Sequence, residues 1–237
     1  MNTLGVIGGM SWESTALYYR LLNEGVRDRL GGLHSAPLLL HSTDFASIAA
    51  LQRSGDWAEA GRQLASAAEG LARAGATAVL LATNTMHKVA PMIEAATAIP
   101  LLHIGDAIGR ALQAGGYQRP LLLGTAFTMR EPFLRDYLSE RYAVEVMVPS
   151  EAAQVEIDRA IFAELCQGRF TEQTRAFYRQ VLVEGREAGA DAAILGCTEI
   201  GLLLATGERP LPLIDSAVEH VQQGVDWLLG ARGQEAE

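Results

Sequence analysis

Two short side chains with acid–base capacity, Thr83 and Cys197, stand at the same place in two near-copies of one sequence pattern. Residues 74–85 read AGATAVLLATNT and residues 188–199 read AGADAAILGCTE. Each copy runs from an Ala-Gly-Ala turn through a short apolar strand into a small polar loop. A thiol with an ordinary pKa of about 8.5 falls to about 3.5–7.5 at a helix N-terminus. Cys197, at a predicted strand-to-helix junction, is therefore expected to serve as nucleophile or base, although a cysteine here reads equally well as small core filler. A duplicated half that places one reactive side chain at each equivalent point suggests one active site built from two related halves.

The neighbours extend the pattern. Asn84 and Thr85 follow Thr83, which is more short polar side chains than a helix N-cap needs. His87 and Lys88 come next, and His87 reads equally as a partly buried structural histidine. Thr198 and Glu199 follow Cys197. Glu199 either binds an amino group, orients another side chain, or simply complements a helix dipole in a first turn. The glycine loop GVIGGM (5–10) offers backbone amides to an anion or is only a tight turn. GTAFTM (124–129) is its counterpart, with Thr125 and Thr128 as hydroxyl donors for a carboxylate. The five histidines, His34, His41, His87, His103 and His220, lack metal-ligand spacing, and no H-E-x-x-H or C-x-x-C occurs. Nucleotide-binding and G-x-S-x-G hydrolase signatures are missing as well. Cys166, inside AIFAELCQG, reads as inert.

The bulk numbers bound these readings. A chain of 237 residues makes one large domain or two small ones. A content of 49% hydrophobic and 20% charged residues is that of a packed globular protein. Net charge −9 and only 6% aromatic residues argue against nucleic acid as partner, which needs a basic surface and stacking platforms. Two cysteines make no disulfide framework, so a reducing compartment is expected. MNTLGVIGGM has no basic segment ahead of an apolar core, and no apolar run reaches the ~18 residues of a membrane span. A cytoplasmic protein without signal peptide or membrane contact is expected.

The elements that must position the two loops alternate. Strands are predicted at 4–9, 37–45, 77–83 and 100–105, with helices at 13–30, 56–75, 87–97 and 106–116. The order restarts with strands at 120–125, 142–149 and 192–197 and a strand-to-helix segment at 210–220 that mirrors 100–110, so Asp215 corresponds to Asp106. Helices are predicted at 129–141, 151–166, 171–188 and 215–229. This βα alternation predicts an α/β fold with mostly parallel sheet. Repetition in chain order favours two lobes over a single doubly wound sheet of eight strands. Gly8, Thr83, Gly124 and Cys197 all fall at carboxyl ends of strands, where open α/β sheets bind ligands.

Taken together, GVIGGMSWESTALYY, ATNTMHKV, GTAFTM and GCTEIGLL resemble the aspartate/glutamate racemase family, in the branch with Thr at the first catalytic position. The resemblance covers roughly residues 5–215. It implies two similar αβα lobes with parallel four-stranded sheets, related by a pseudo-twofold axis around a cleft; the lobes would be 1–98 plus 213–237 and 99–212. It implies a homodimer that racemises a small amino acid without pyridoxal phosphate or metal. One residue removes the α-proton and another returns a proton to the opposite face. Cys197 falls on one catalytic position and Thr83 on the other, where most relatives carry cysteine. Met10, Asn84, Thr85, Thr125, Thr198 and Glu199 fall on positions around substrate. Gln52 and Arg53 match the segment where dicarboxylate-specific relatives place an arginine. Cys166 stands where relatives often have lysine, which points to a broader or altered substrate range.

The departure at Thr83 sets the functional expectation. A hydroxyl is a far weaker acid than a thiol and is not a resting alkoxide near neutral pH. Catalysis is expected to be lopsided, with Cys197 handling one enantiomer efficiently and the opposite direction slow. Two other readings belong to different classes. One is an arylmalonate-decarboxylase-like enzyme with a single cysteine and an oxyanion pocket of hydroxyl donors. The other is a non-catalytic amino-acid-binding protein.

Overall fold

The structure is a computed structural model and describes residues 1–207 and 209–230. The chain divides into two compact units, Met1–His103 joined by the segment from His220 onward, and Ile104–Glu219.

The first unit runs β1 (Leu4–Gly8), α1 (Trp12–Leu30), β2 (Leu38–Ser42), α2 (Phe45–Ser54), α3 (Trp57–Arg73), β3 (Ala78–Leu81), a 3₁₀ turn (Thr85–Val89), α4 (Ala90–Ala96) and β4 (Leu101–Leu102). Its sheet is parallel throughout, in the order β2-β1-β3-β4. Strands β1 and β3 are buried at every residue. That is why they read as unbroken apolar runs and not as alternating ones. Strand β2, at the edge, is half exposed. Helix α1 starts at Ser11, whose hydroxyl accepts from the Ser14 amide, and lays Thr15, Tyr18, Leu22 and Val26 against the core.

The second unit runs α5 (Ile104–Gly115), β5 (Pro120–Leu123), α6 (Ala126–Arg130), α7 (Phe133–Tyr142), α8 (Glu151–Ala163), a 3₁₀ turn (Leu165–Gln167), α9 (Glu172–Glu187), β6 (Ala192–Leu195), α10 (Thr198–Leu203), β7 (Leu213–Asp215) and α11 (Ser216–Leu228), whose later part belongs to the first unit. Its sheet is parallel, in the order β5-β6-β7. The expected strand at 142–149 is reduced to one parallel bridge between Met147 and Leu121, so this sheet has three strands and not four. The segment leaves α7 through Ala143 in the left-handed region and pairs over too short a stretch to extend the ladder.

Other boundaries moved for local reasons. The helix expected over 129–141 is two helices, because Pro132 cannot donate into a preceding turn and breaks the run. Helix α2 is missing from the sequence reading. The expected strand at 37–45 stops at Ser42, and the Asp44 side chain then caps α2 by accepting from the Ala46 amide. Helix α8 ends at Ala163, and Cys166 lies on the 3₁₀ turn beyond it.

Strand register places Thr83 and Cys197. Ile7 pairs with Leu81 across β1 and β3, and Leu123 pairs with Leu195 across β5 and β6. Thr83 and Cys197 are each the second residue beyond the buried Leu of their own pair, Leu81 or Leu195. In each unit the candidate residue therefore stands just past the carboxyl end of a central parallel strand.

Candidate active site

In the first unit, Thr83 is the only residue between Ala78 and His87 that keeps partial exposure. Its amide donates to Leu81 O at 2.8 Å. Its carbonyl accepts from Nδ1 of His87 at 2.8 Å, a bond in which only the ring nitrogen can be the donor. Asn84 and Thr85 are almost fully buried beside it. Gln52 Nε2 donates to Met86 Sδ at 3.0 Å and so reaches the turn after Thr83, while Met10 is buried in the same core cluster as Met86. Arg53 is exposed near the end of α2. Lys88 turns away and sits over the Trp57 ring, 4.1 Å from its centroid.

One amide of the glycine loop is taken up by helix α1. Gly9 N–H donates to Thr15 Oγ1 at 2.8 Å, and the Ser11 hydroxyl takes the Ser14 amide. With φ of 89° and the Thr43 carbonyl standing where a Cβ would go, Gly9 is required for the turn itself.

Sequence reasoning left His103 and His220 unassigned. Both are buried with His87 in the first unit. The His87 ring stands edge-on to His103 at 4.6 Å between centroids and to His220 at 5.7 Å. His220 Nε2 bonds Leu102 O at 2.7 Å and its Nδ1 meets the Tyr18 hydroxyl at 3.2 Å. Their separation in the chain hid the group; the only signal was that His87 closely follows one predicted strand and His103 lies within another. Burial, aided by His103, holds the pKa of His87 well below 6.5, so its ring is neutral at pH 7.

In the second unit, Gly196 N–H donates to Leu123 O at 2.7 Å, and that carbonyl would lie 2.8 Å from a Cβ at position 196. The glycine lets β5 and β6 close up immediately before Cys197. Cys197 and Thr198 keep partial exposure, while Glu199 is buried. Cys197 Sγ donates to Glu199 Oε2 at 2.8 Å, and Thr198 Oγ1 donates to the same oxygen at 2.8 Å. Cys166 packs against the same core cluster as Cys197. Thr125 caps α6 and its hydroxyl meets that of Thr128 at 3.2 Å, whereas Thr128 is fully buried and out of reach of a ligand.

The thiol is not activated in the expected direction. Burial first, then the Glu199 carboxylate, pushes the Cys197 pKa well above 9.0, while the Glu199 backbone N–H pulls weakly the other way. Helix α10 has only six residues, and a carboxylate in its first turn outweighs whatever field its N-terminus supplies. Cys197 therefore rests as a thiol hydrogen-bonded to a carboxylate, which is a protonated acid beside a proton acceptor.

Asp106 and Asp215, at matching places in the repeat, hold local structure. Asp106 Oδ1 accepts from Tyr137 at 2.7 Å and Tyr142 at 2.9 Å, and together with burial it raises the Tyr142 pKa to about 12. Asp215 accepts from the Ala217 amide at 3.0 Å. Among the described residues, no group of three or more His, Cys, Asp or Glu side chains is arranged to hold a metal ion, and no helix is long and apolar enough to cross a membrane.

The fold is shared with known proteins. A family model for Asp/Glu/hydantoin racemase matches residues 7–224. A Yersinia pestis structure assigned as an Asp/Glu racemase is 43% identical over 97% of this chain and 100% of that one, with TM-score 0.91. An aspartate racemase homologue from Pyrococcus horikoshii is 31% identical over 97% and 100%, with TM-score 0.86. Picrophilus torridus aspartate racemase, at 18% identity over 95% and 94% and TM-score 0.73, shares the fold. The chain belongs to the Asp/Glu/hydantoin racemase family.

Proposed function

We propose that the chain racemises a small amino acid, aspartate and glutamate being the first substrates to test, with its own side chains as acid and base and without pyridoxal phosphate. The observation that carries this reading is the Cys197–Glu199 pair, a thiol 2.8 Å from a buried carboxylate at the end of a central parallel strand.

The proton inventory follows from that pair. The thiol proton passes to Glu199, and the thiolate takes the substrate α-proton. The electrons of the broken C–H bond move into the substrate carboxylate as an enediolate. The Thr83 hydroxyl then gives its proton to the opposite face of the α-carbon. The enzyme resets when one proton moves from the Cys197–Glu199 pair to Thr83 through solvent. General acid–base steps of this kind contribute about 10²–10⁴-fold each.

The Thr83 asymmetry acts within a thermodynamic limit. Two enantiomers in water have equal free energy, so kcat/KM for the two directions must be equal. A slow reverse direction in kcat/KM, as the sequence alone suggested, is not allowed. The asymmetry appears instead in α-proton exchange. The enantiomer whose proton faces Cys197 exchanges with solvent faster than it racemises, because the carbanion returns to the thiol more often than it takes a proton from Thr83. The other enantiomer exchanges no faster than it racemises.

Incubation with each enantiomer of aspartate and glutamate, followed by optical rotation, tests the activity. Loss of racemisation in Cys197→Ser is expected. Racemisation that survives Cys197→Ser would contradict the reading, as would carbon dioxide release from a substituted malonate with no amino-acid exchange.

A further inference from the structure

We infer that His87 is a positioning residue for Thr83: its Nδ1–H fixes the Thr83 carbonyl, and through it the aim of the Thr83 hydroxyl, while His103 and His220 fix the ring. The inference rests on the assignment of Thr83 as the proton donor proposed above.

Thr83 has a single side-chain torsion before its hydroxyl, so backbone orientation sets where that oxygen points. The residue is clamped at both ends, by Leu81 O on its amide and by His87 Nδ1 on its carbonyl, each at 2.8 Å. An ordinary helical turn would offer a main-chain amide to that carbonyl. Here the His87 amide goes to Asn84 O at 3.1 Å, and the His87 ring supplies the donor to Thr83 O.

The ring can do this because its surroundings leave it one tautomer and one orientation. A carbonyl accepts only, so Nδ1 carries the hydrogen. Edge-to-face contacts with His103 at 73° and His220 at 66° hold the ring plane. His220 is itself held by Leu102 O and the Tyr18 hydroxyl. A run of contacts thus extends from α1 through α11 to the loop that carries Thr83. An apolar residue of similar size would fill the same space but could not bind the carbonyl.

The test compares His87→Leu, His87→Asn and Thr83→Ala for racemisation and for α-deuterium uptake by the fast-exchanging enantiomer, with thermal unfolding as a check on the fold. Asparagine places its amide nitrogen where Nδ1 stands in histidine. A donor displaced by an ångström costs on the order of 10²-fold. His87→Leu is therefore expected to lose on the order of 10–100-fold in kcat for racemisation, with KM little changed and deuterium uptake by the fast enantiomer retained. His87→Asn should recover most of the loss. Full racemisation in His87→Leu would overturn the inference. So would a folded His87→Asn as impaired as His87→Leu, or equal loss of exchange and racemisation, which marks a purely structural histidine. The underlying reading fails separately, if Thr83→Ala itself racemises normally.

Discussion

Cys197 Sγ donates to Glu199 Oε2 at 2.8 Å, and the carboxylate that receives it is buried. Burial and, after it, this contact set the resting state of the thiol. A carboxylate beside a thiol disfavours thiolate, and burial disfavours it further. Glu199→Gln removes the charge and keeps the shape. The Cys197 pKa is then expected to fall toward 9, read as ultraviolet thiolate absorbance against a Cys197→Ser control. Exchange activity should nevertheless drop, by about 10²–10⁴-fold, because the proton acceptor is gone. A rise in the thiol pKa, or full activity, would contradict the assignment.

The same pair predicts the pH dependence of the reaction. With the Cys197 pKa well above 9.0, thiolate is scarce at neutral pH and grows through the alkaline range. Because the proton that leaves the thiol stays on Glu199, the active protonation state is already populated at neutral pH, and deuterium uptake by the fast enantiomer should change little from about pH 7 to pH 8. A roughly tenfold rise per pH unit over that range would mean that the thiol loses its proton to solvent and that Glu199 is not the acceptor.

Thr83→Cys restores a thiol to the first loop. Because a thiol returns a proton more readily than a hydroxyl, racemisation by this variant should exceed that of the natural sequence. Its exchange-to-racemisation ratio should approach equality for both enantiomers. An unchanged ratio would show that Thr83 does not limit the second proton transfer.

His87 makes a stability prediction with a definite sign. Its folded pKa lies well below 6.5, so as pH falls through 6.5 the unfolded chain takes up a proton that the folded chain does not. Stability present above pH 6.5 is lost on acidification, with a limiting slope of about 1.4 kcal/mol per pH unit for that proton. His87→Gln should flatten the denaturation midpoint against pH between 6.5 and 5. An unchanged slope would place the responsible proton elsewhere.

Much of this architecture was legible because buried parallel strands carry their signal as short apolar runs. AVLL at 78–81 and AAIL at 192–195 are buried at every position, and the polar residues that follow mark where each strand ends. Thr83 and Cys197 could be singled out for that reason. Helix α2 was not legible, since its cap at Asp44 lies inside a stretch that also continues a strand pattern. The missing fourth strand of the second sheet depends on how far 144–148 pairs, which is a tertiary outcome. The Cys197 shift runs opposite to the sequence expectation because burial, which the local sequence does not show, and then the carboxylate two residues on outweigh the helix N-terminus. The histidine group was hidden because its members come from the turn after β3, the residue after β4 and helix α11.

The most direct test follows each enantiomer of aspartate separately in D₂O, with α-deuterium uptake and optical rotation measured on the same samples. One enantiomer is expected to take up deuterium well ahead of its loss of rotation, while the other shows the two changes in step. Thr83→Ala should abolish racemisation but leave the rapid uptake, and Cys197→Ser should abolish both. Equal exchange-to-racemisation ratios from the two enantiomers, or rapid uptake that survives Cys197→Ser, would contradict the assignment of Cys197 and Thr83 as acid and base.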